Sequence, residues 1–170
     1  PKHKIIRSLF NGSRGPLLRK ATALDWAGDQ IEIEGRFKPR HGEHTYAQML
    51  QHFEDYNDVV GDHPSNLLAT SLAMNAFMLT GEEKYRTWIR EYVGAWRERT
   101  KANNGIMPDN VGLSGRVGEY LSGNWWGGYY GWRWVRGGLD IVRASFTGGK
   151  AAMMLDGDPE WMELARSQFH

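Results

Sequence analysis

The chain has 170 residues, 41% of them hydrophobic and 24% charged, a balance that excludes intrinsic disorder and is sufficient to bury a core. Its 21 Lys and Arg against 20 Asp and Glu leave a formal charge of +1, so no electrostatic footprint points to nucleic acid or an anionic membrane, and no run of about 18 apolar residues is present to span a bilayer. The absence of Cys excludes disulfides and thiolate chemistry and fits a reduced cytoplasm as well as a secreted bacterial protein; the compartment stays open, with the periplasmic or secreted location slightly preferred.

In chain order, residues 1–44 read as an irregular segment that begins with neither an initiator Met nor a signal-peptide pattern, as a chain cut at its start would. Only Ile31-Glu32-Ile33-Glu34 alternates as a half-buried strand does. From Thr45 the period changes, since Tyr46, Met49, Leu50 and Phe53 share one helical face, and that helix should end near Asn57. Pro64 fits the first turn of a further helix, and Leu67–Leu79 then runs almost without charge, which predicts a helix buried on every side. Gly81 stops it, and Glu82 and Glu83 open the next. In that helix Tyr85, Trp88, Ile89, Tyr92, Val93 and Trp96 form one face, opposite Arg86, Arg90, Glu91, Arg97 and Glu98. This is the pattern of an amphipathic outer helix over Tyr85–Arg99.

The pattern then repeats. Ala151 to Trp161 restates the apolar helix, Gly turn, acidic start and aromatic anchor of Asn75 to Tyr85, and the offset is 76 residues both from Gly81 to Gly157 and from Tyr85 to Trp161. Two helical hairpins follow, with inner helices over Leu67–Leu79 and Leu139–Leu155 and outer helices over Tyr85–Arg99 and Trp161–Gln168. The spacing is far from the roughly 34-residue repeats of open helical solenoids.

The succession of inner helix, the stretch LTGEEKYRTWIREYVGAWRERT, a long loop and a second inner helix resembles the six-hairpin glycosidase-like superfamily. That superfamily holds unsaturated uronyl hydrolases, other glycosidases, polysaccharide lyases and sugar epimerases. The resemblance covers about Tyr46 to His170. It implies an all-α fold, the helical hairpins of an incomplete (α/α)6 toroid over residues 45–170, with roughly a third to a half of the barrel present in a single partial domain. It brings no shared catalytic motif, so the site residues rest on topology and chemistry.

In such an array the connections that enter inner helices share one mouth, opposite the Gly turns. Residues 57–63 and 101–137 both fall there, and the second connection far exceeds the usual spacing between packed helices. It interleaves Trp125, Trp126, Tyr129, Tyr130, Trp132 and Trp134 with glycines and carries Arg116, Arg133 and Arg136. Aromatic faces suit sugar rings and guanidinium groups suit carboxylates, so these are the candidate substrate contacts; a cap on the barrel mouth would use the same rings. Tyr56, Asp58, Asp62, His63 and, in the long loop, Asp109 are the candidate acid, base and assisting groups, although Asp62 serves equally as a helix cap and Asp58 as a turn residue. His41, Glu43, His44 and His52 match no zinc-enzyme spacing, and Gly148-Gly149-Lys150 lacks the first half of a phosphate loop, so neither metal nor cofactor is expected.

The expectation is a carbohydrate-active enzyme, a glycoside hydrolase acting on an oligosaccharide or polysaccharide with or without uronic acid. A lyase of the same fold is close behind. A non-catalytic helical repeat that binds a glycan or protein is the third reading.

Overall fold

The apolar periodicity beyond residue 60 folds as helix. The computed structural model of the protein describes residues 2–8, 61–119, 121, 123–128, 131–132 and 136–169. Within them β1 (Gly61–Asp62) leads through a 3-10 turn (Pro64–Leu68) into α1 (Ala69–Thr80), followed by α2 (Glu83–Ala102). β2 (Val111–Gly112) lies in the long connection. After it come α3 (Gly137–Asp156), a 3-10 turn (Pro159–Met162), the short α4 (Glu163–Arg166) and a last 3-10 turn (Ser167–Phe169), so the described chain is mostly helical.

The two Gly turns are alike in geometry as in sequence. Gly81 and Gly157 take the left-handed conformation at φ 67° and 70°, and their N–H groups donate to the carbonyls of Phe77 and Met153 at 2.7 and 2.8 Å. Only glycine adopts that backbone without steric cost, which is why each helix stops there. α2 buries Ile89, Tyr92, Val93, Trp96 and Thr100 along one stripe, with Glu83 at its positive end and Arg99 and Lys101 at its negative end.

α3 packs against the first 3-10 turn, α1 and α2, while α4 packs against α2 and α3. The core between them holds Leu67, Ile89, Tyr92, Val93, Trp96, Met107, Ile141, Ala144 and Leu164. Burial of each Leu, Ile, Val or Met side chain in this set contributes on the order of 1.5–3 kcal/mol. The closest approach is at Gly148, where a Cβ would meet Leu67 Cδ2 at 2.8 Å, and the neighbouring Gly149 admits the Trp161 carbonyl oxygen within 2.7 Å of its own Cβ position. The paired glycines are thus packing notches between hairpin elements. Arg90 donates through Nε to Asp156 at 2.6 Å, and the Arg97 guanidinium lies 4.5 Å from the Trp161 ring. Arg90 sits only about two turns into α2, so Gly157 shares the end of the stack marked by Gly81.

Three expectations are corrected. Leu67–Leu79 is not buried on every side: Leu67 and Met74 are, but Leu68, Leu72, Met78 and Leu79 are exposed. Among the described residues α1 meets neighbours on one flank only, and absence of charge cannot say how many flanks are covered. Its first residues also form the 3-10 turn rather than α-helix. The second outer element, read as a continuous helix over Trp161–Gln168, is a 3-10 turn, four residues of α4 and another 3-10 turn. Pro159 at its start removes an N–H and biases the first turn. The predicted strand at Ile31–Glu34 and helix from Thr45 to Asn57 lie outside the described residues.

A small ladder that the sequence did not announce closes the opposite end. β1 and β2 pair antiparallel with Gly61 opposite Gly112 and Asp62 opposite Val111, and Ser8 bridges to Gly61 on the other side. Two-residue strands are too short to show a period of two.

Candidate functional site

Asp62 stands at the centre of this end and is fully buried. Its carboxyl accepts from the Tyr92 hydroxyl at 2.9 and 3.0 Å, the Asn66 side-chain amide at 2.8 Å, and the backbone N–H groups of Ile6 at 3.0 Å and His63 at 2.9 Å. It therefore ties together the N-terminal segment, the entry to α1 and the outer helix α2. Burial pushes its pKa up to about 6, although the bonds from Asn66, Ile6 and Tyr92 and the charge of Arg99 oppose the rise. Burial likewise holds the Tyr92 hydroxyl well above the usual phenol range and drops His63 to about 4. Arg99 donates to the carbonyl of His3 at 2.9 Å, which fastens the N-terminal segment over the cluster. At neutral pH the imidazole of His63 is uncharged.

The long connection is built around a second buried carboxyl. Asp109 accepts from the backbone N–H groups of Gly127 and Gly128 at 2.9 Å and Trp132 at 3.0 Å, and from the Asn110 side chain at 3.0 Å. Two donors reach each oxygen, which fills its acceptor sites. Gly128 and Gly131 are required here, because a Cβ at either would enter the space of the Asp109 carboxyl. The glycines among the aromatic residues are thus where the chain folds over Asp109. The loop is joined to the first cluster through the ladder: Val111 pairs with Asp62, and the N–H of Asp109 donates to the Trp125 carbonyl at 2.8 Å.

Trp125 and Asp62 consequently share one end of the hairpin stack, as the topology predicts. Trp126 is 41% exposed and Trp125 is half-buried, so both present surface to solvent. Trp132 turns inward, where its Nε1–H donates to the Met107 carbonyl at 2.7 Å. Arg116 is exposed, but its charge faces Glu119 at 3.6 Å. Arg136 is exposed beside the start of α3. Tyr56, Asp58, Tyr129, Tyr130, Arg133 and Trp134 lie outside the described residues. Asp62, His63 and Asp109, the catalytic candidates within them, are all buried, and the two carboxyl groups are engaged by donors on the protein itself.

One residue that sequence reasoning passed over is Glu119. It accepts from the Ser114 hydroxyl at 2.7 Å and the Ser114 N–H at 3.1 Å. Burial alone would raise its pKa, but those bonds and Arg116 outweigh it and hold the carboxyl below the usual glutamate range. It is an ionised, partly accessible carboxylate on the turn that leads into Trp125. Ser114 and Arg116, close by in sequence, were the available signal. Among the described residues no group of three or more His, Asp or Glu could hold a metal ion, and no helix is long and apolar enough to cross a membrane.

A family model decides where the chain belongs, matching residues 1–170 throughout. The chain is a member of the domain of unknown function family DUF8034. No curated protein and no solved structure matches it. Membership sets its relatives without setting a chemistry, so function rests on the geometry at the ladder end.

Proposed function

We propose that this chain is part of an (α/α) toroid of the six-hairpin glycosidase-like kind and that the end bearing the Asp62–Val111 ladder is its carbohydrate-binding mouth, serving a glycoside hydrolase. Trp125 and Trp126 form the sugar-stacking wall, and Glu119, six residues before Trp125 in the chain and 14% exposed in its side chain, is the carboxylate that serves it. Asp62, with Tyr92 and His63, and Asp109 act as positioning residues behind the wall. The observation that carries this reading is the anchoring of the tryptophan loop by Asp109 to the ladder. A flat aromatic surface held rigid before the sugar arrives loses little entropy on binding. The 76-residue recurrence of hairpins with matching left-handed Gly turns supports the toroid.

The test is calorimetric titration of the protein with neutral and uronate oligosaccharides, together with product analysis by reducing-end release and by the ultraviolet absorbance of unsaturated sugars. Trp126→Ala should weaken binding by about tenfold or more, the scale of a contact tryptophan. Glu119→Gln should lower turnover on the order of 10²-fold while leaving binding in place. Unsaturated product would move the assignment to a lyase. Sugar binding that ignores Trp126 would remove the wall from the account.

A second reading, a non-catalytic glycan-binding helical repeat, is favoured by one observation: the carboxyls of Asp62 and Asp109 are buried and held by internal donors. Binding without turnover would establish it.

A further inference from the structure

The repeat carries a consequence for the outer flanks of the two hairpins. In the first hairpin, Leu67, Thr70, Ile89 and Val93 are completely buried, on elements that pack against the second hairpin, with Leu67 set against Gly148. Their counterparts 76 residues later are Arg143, Phe146, Ala165 and Phe169. These four, with Val142 and Thr147, line an open cleft between α3 and the last 3-10 turn. Phe146 is 51% and Phe169 73% exposed. The corresponding positions in the second unit are therefore shaped and largely apolar, and among the described residues no further hairpin covers them.

The other half of the match is on α1. The second hairpin docks through a face of α3 that includes Ala144, Gly148 and Ala152, all buried. Counting back 76 residues gives Leu68, Leu72 and Ala76 on α1, with Leu79 in line one turn further. Leu72 is 71% and Leu79 86% exposed. Hairpin one thus keeps open the face that hairpin two uses to dock, and hairpin two keeps open the face that hairpin one uses to receive.

We propose that two copies of this chain associate head to tail, the Leu68–Leu72–Leu79 ridge of one seated in the Val142–Phe146–Phe169 cleft of the other, as a continuation of the contact between hairpins within one chain. The two faces are different surfaces, so the contact is heterologous and leaves a free ridge and a free cleft for a further copy. Burying both removes contiguous apolar surface of the kind soluble monomers seldom expose. Arg143, where the first unit has Leu67, lines the cleft and is exposed, and an arginine so placed can cover apolar surface with its aliphatic stem while its charge stays in water. The inference rests on the repeat and the exposed faces, not on sugar chemistry; oligosaccharide titration of the same samples separates the two.

The experiment is sedimentation equilibrium of the chain over a wide concentration range. The wild type should show a mass that rises with concentration past that of one chain. Leu72→Asp and Phe146→Asp, both at exposed positions, should each weaken association at least tenfold with unchanged circular dichroism. Leu72→Asp keeps a sound cleft and Phe146→Asp a sound ridge, so their equimolar mixture should recover a dimer and stop there. If Phe146→Asp fails to fold, Phe169→Asp tests the same cleft. A wild type that stays monomeric throughout, single variants that associate as well as the wild type, or a mixture that remains monomeric would each overturn the proposal.

Discussion

Substituting Asp109 by Asn tests whether the tryptophan loop is held as described. The side chains are nearly isosteric, so the change is one of hydrogen-bond sense. In the native loop one oxygen accepts from Gly128 and Asn110 and the other from Gly127 and Trp132, at 2.9–3.0 Å. Asparagine keeps one acceptor and turns the other into an amide that faces two N–H donors. Two bonds to a charged group are lost, at about 1.5–3 kcal/mol each, so the expected cost is about 3–6 kcal/mol. That is a large share of the 5–15 kcal/mol typical of a domain. Urea denaturation followed by far-ultraviolet circular dichroism would read a global loss. Hydrogen exchange at the Gly127 and Gly128 amides would read a loss confined to the loop. A variant within about 1 kcal/mol of the wild type whose two amides stay equally protected would refute the anchoring role.

Other outcomes follow from the same packing. His63, lowered from 6.5 to about 4, binds fewer protons when folded, so its contribution to stability is present above pH 6.5 and is lost as pH falls toward 4. Asp62, raised from 3.8 to about 6, binds more protons when folded, so its contribution is favourable relative to higher pH near pH 4 and is lost as pH rises through 6. Each amounts to about 3 kcal/mol and they oppose one another. His63→Asn should therefore leave a protein whose stability relative to wild type declines by about 3 kcal/mol between pH 4 and 6.5, read from urea midpoints; a pH-independent difference would contradict the buried, neutral imidazole. Leu67→Ala should cost about 2–5 kcal/mol and Gly148→Ala about 1–3 kcal/mol. Because the added methyl would enter the space of Leu67, the double variant should cost clearly less than the sum, and strict additivity in a double-mutant cycle would deny the contact.

What the sequence determined by itself is what local chemistry dictates. The stripe from Tyr85 to Trp96 specified an amphipathic helix and its buried face, because side chains three and four apart must share a side. Gly81 and Gly157 specified their turns, since only glycine enters the left-handed region freely; the shared 76-residue offset marked two hairpins, and the alternation of inner and outer helices put Trp125 at the end that holds Asp62. The tertiary structure decided the rest. Leu67 and Leu68 are adjacent and equally apolar, yet one is buried and the other exposed, because burial depends on which flank meets α3. The glycines among the tryptophans are explained only once Asp109 is seen occupying the space their side chains would need. Asp62, His63 and Asp109 look from their residue types like acids and bases at a mouth. Their surroundings were set by three-dimensional neighbours, Tyr92 and Ile6 for one carboxyl and Gly127, Gly128 and Trp132 for the other, which lie 18 to 56 residues away and leave no periodic trace in the chain.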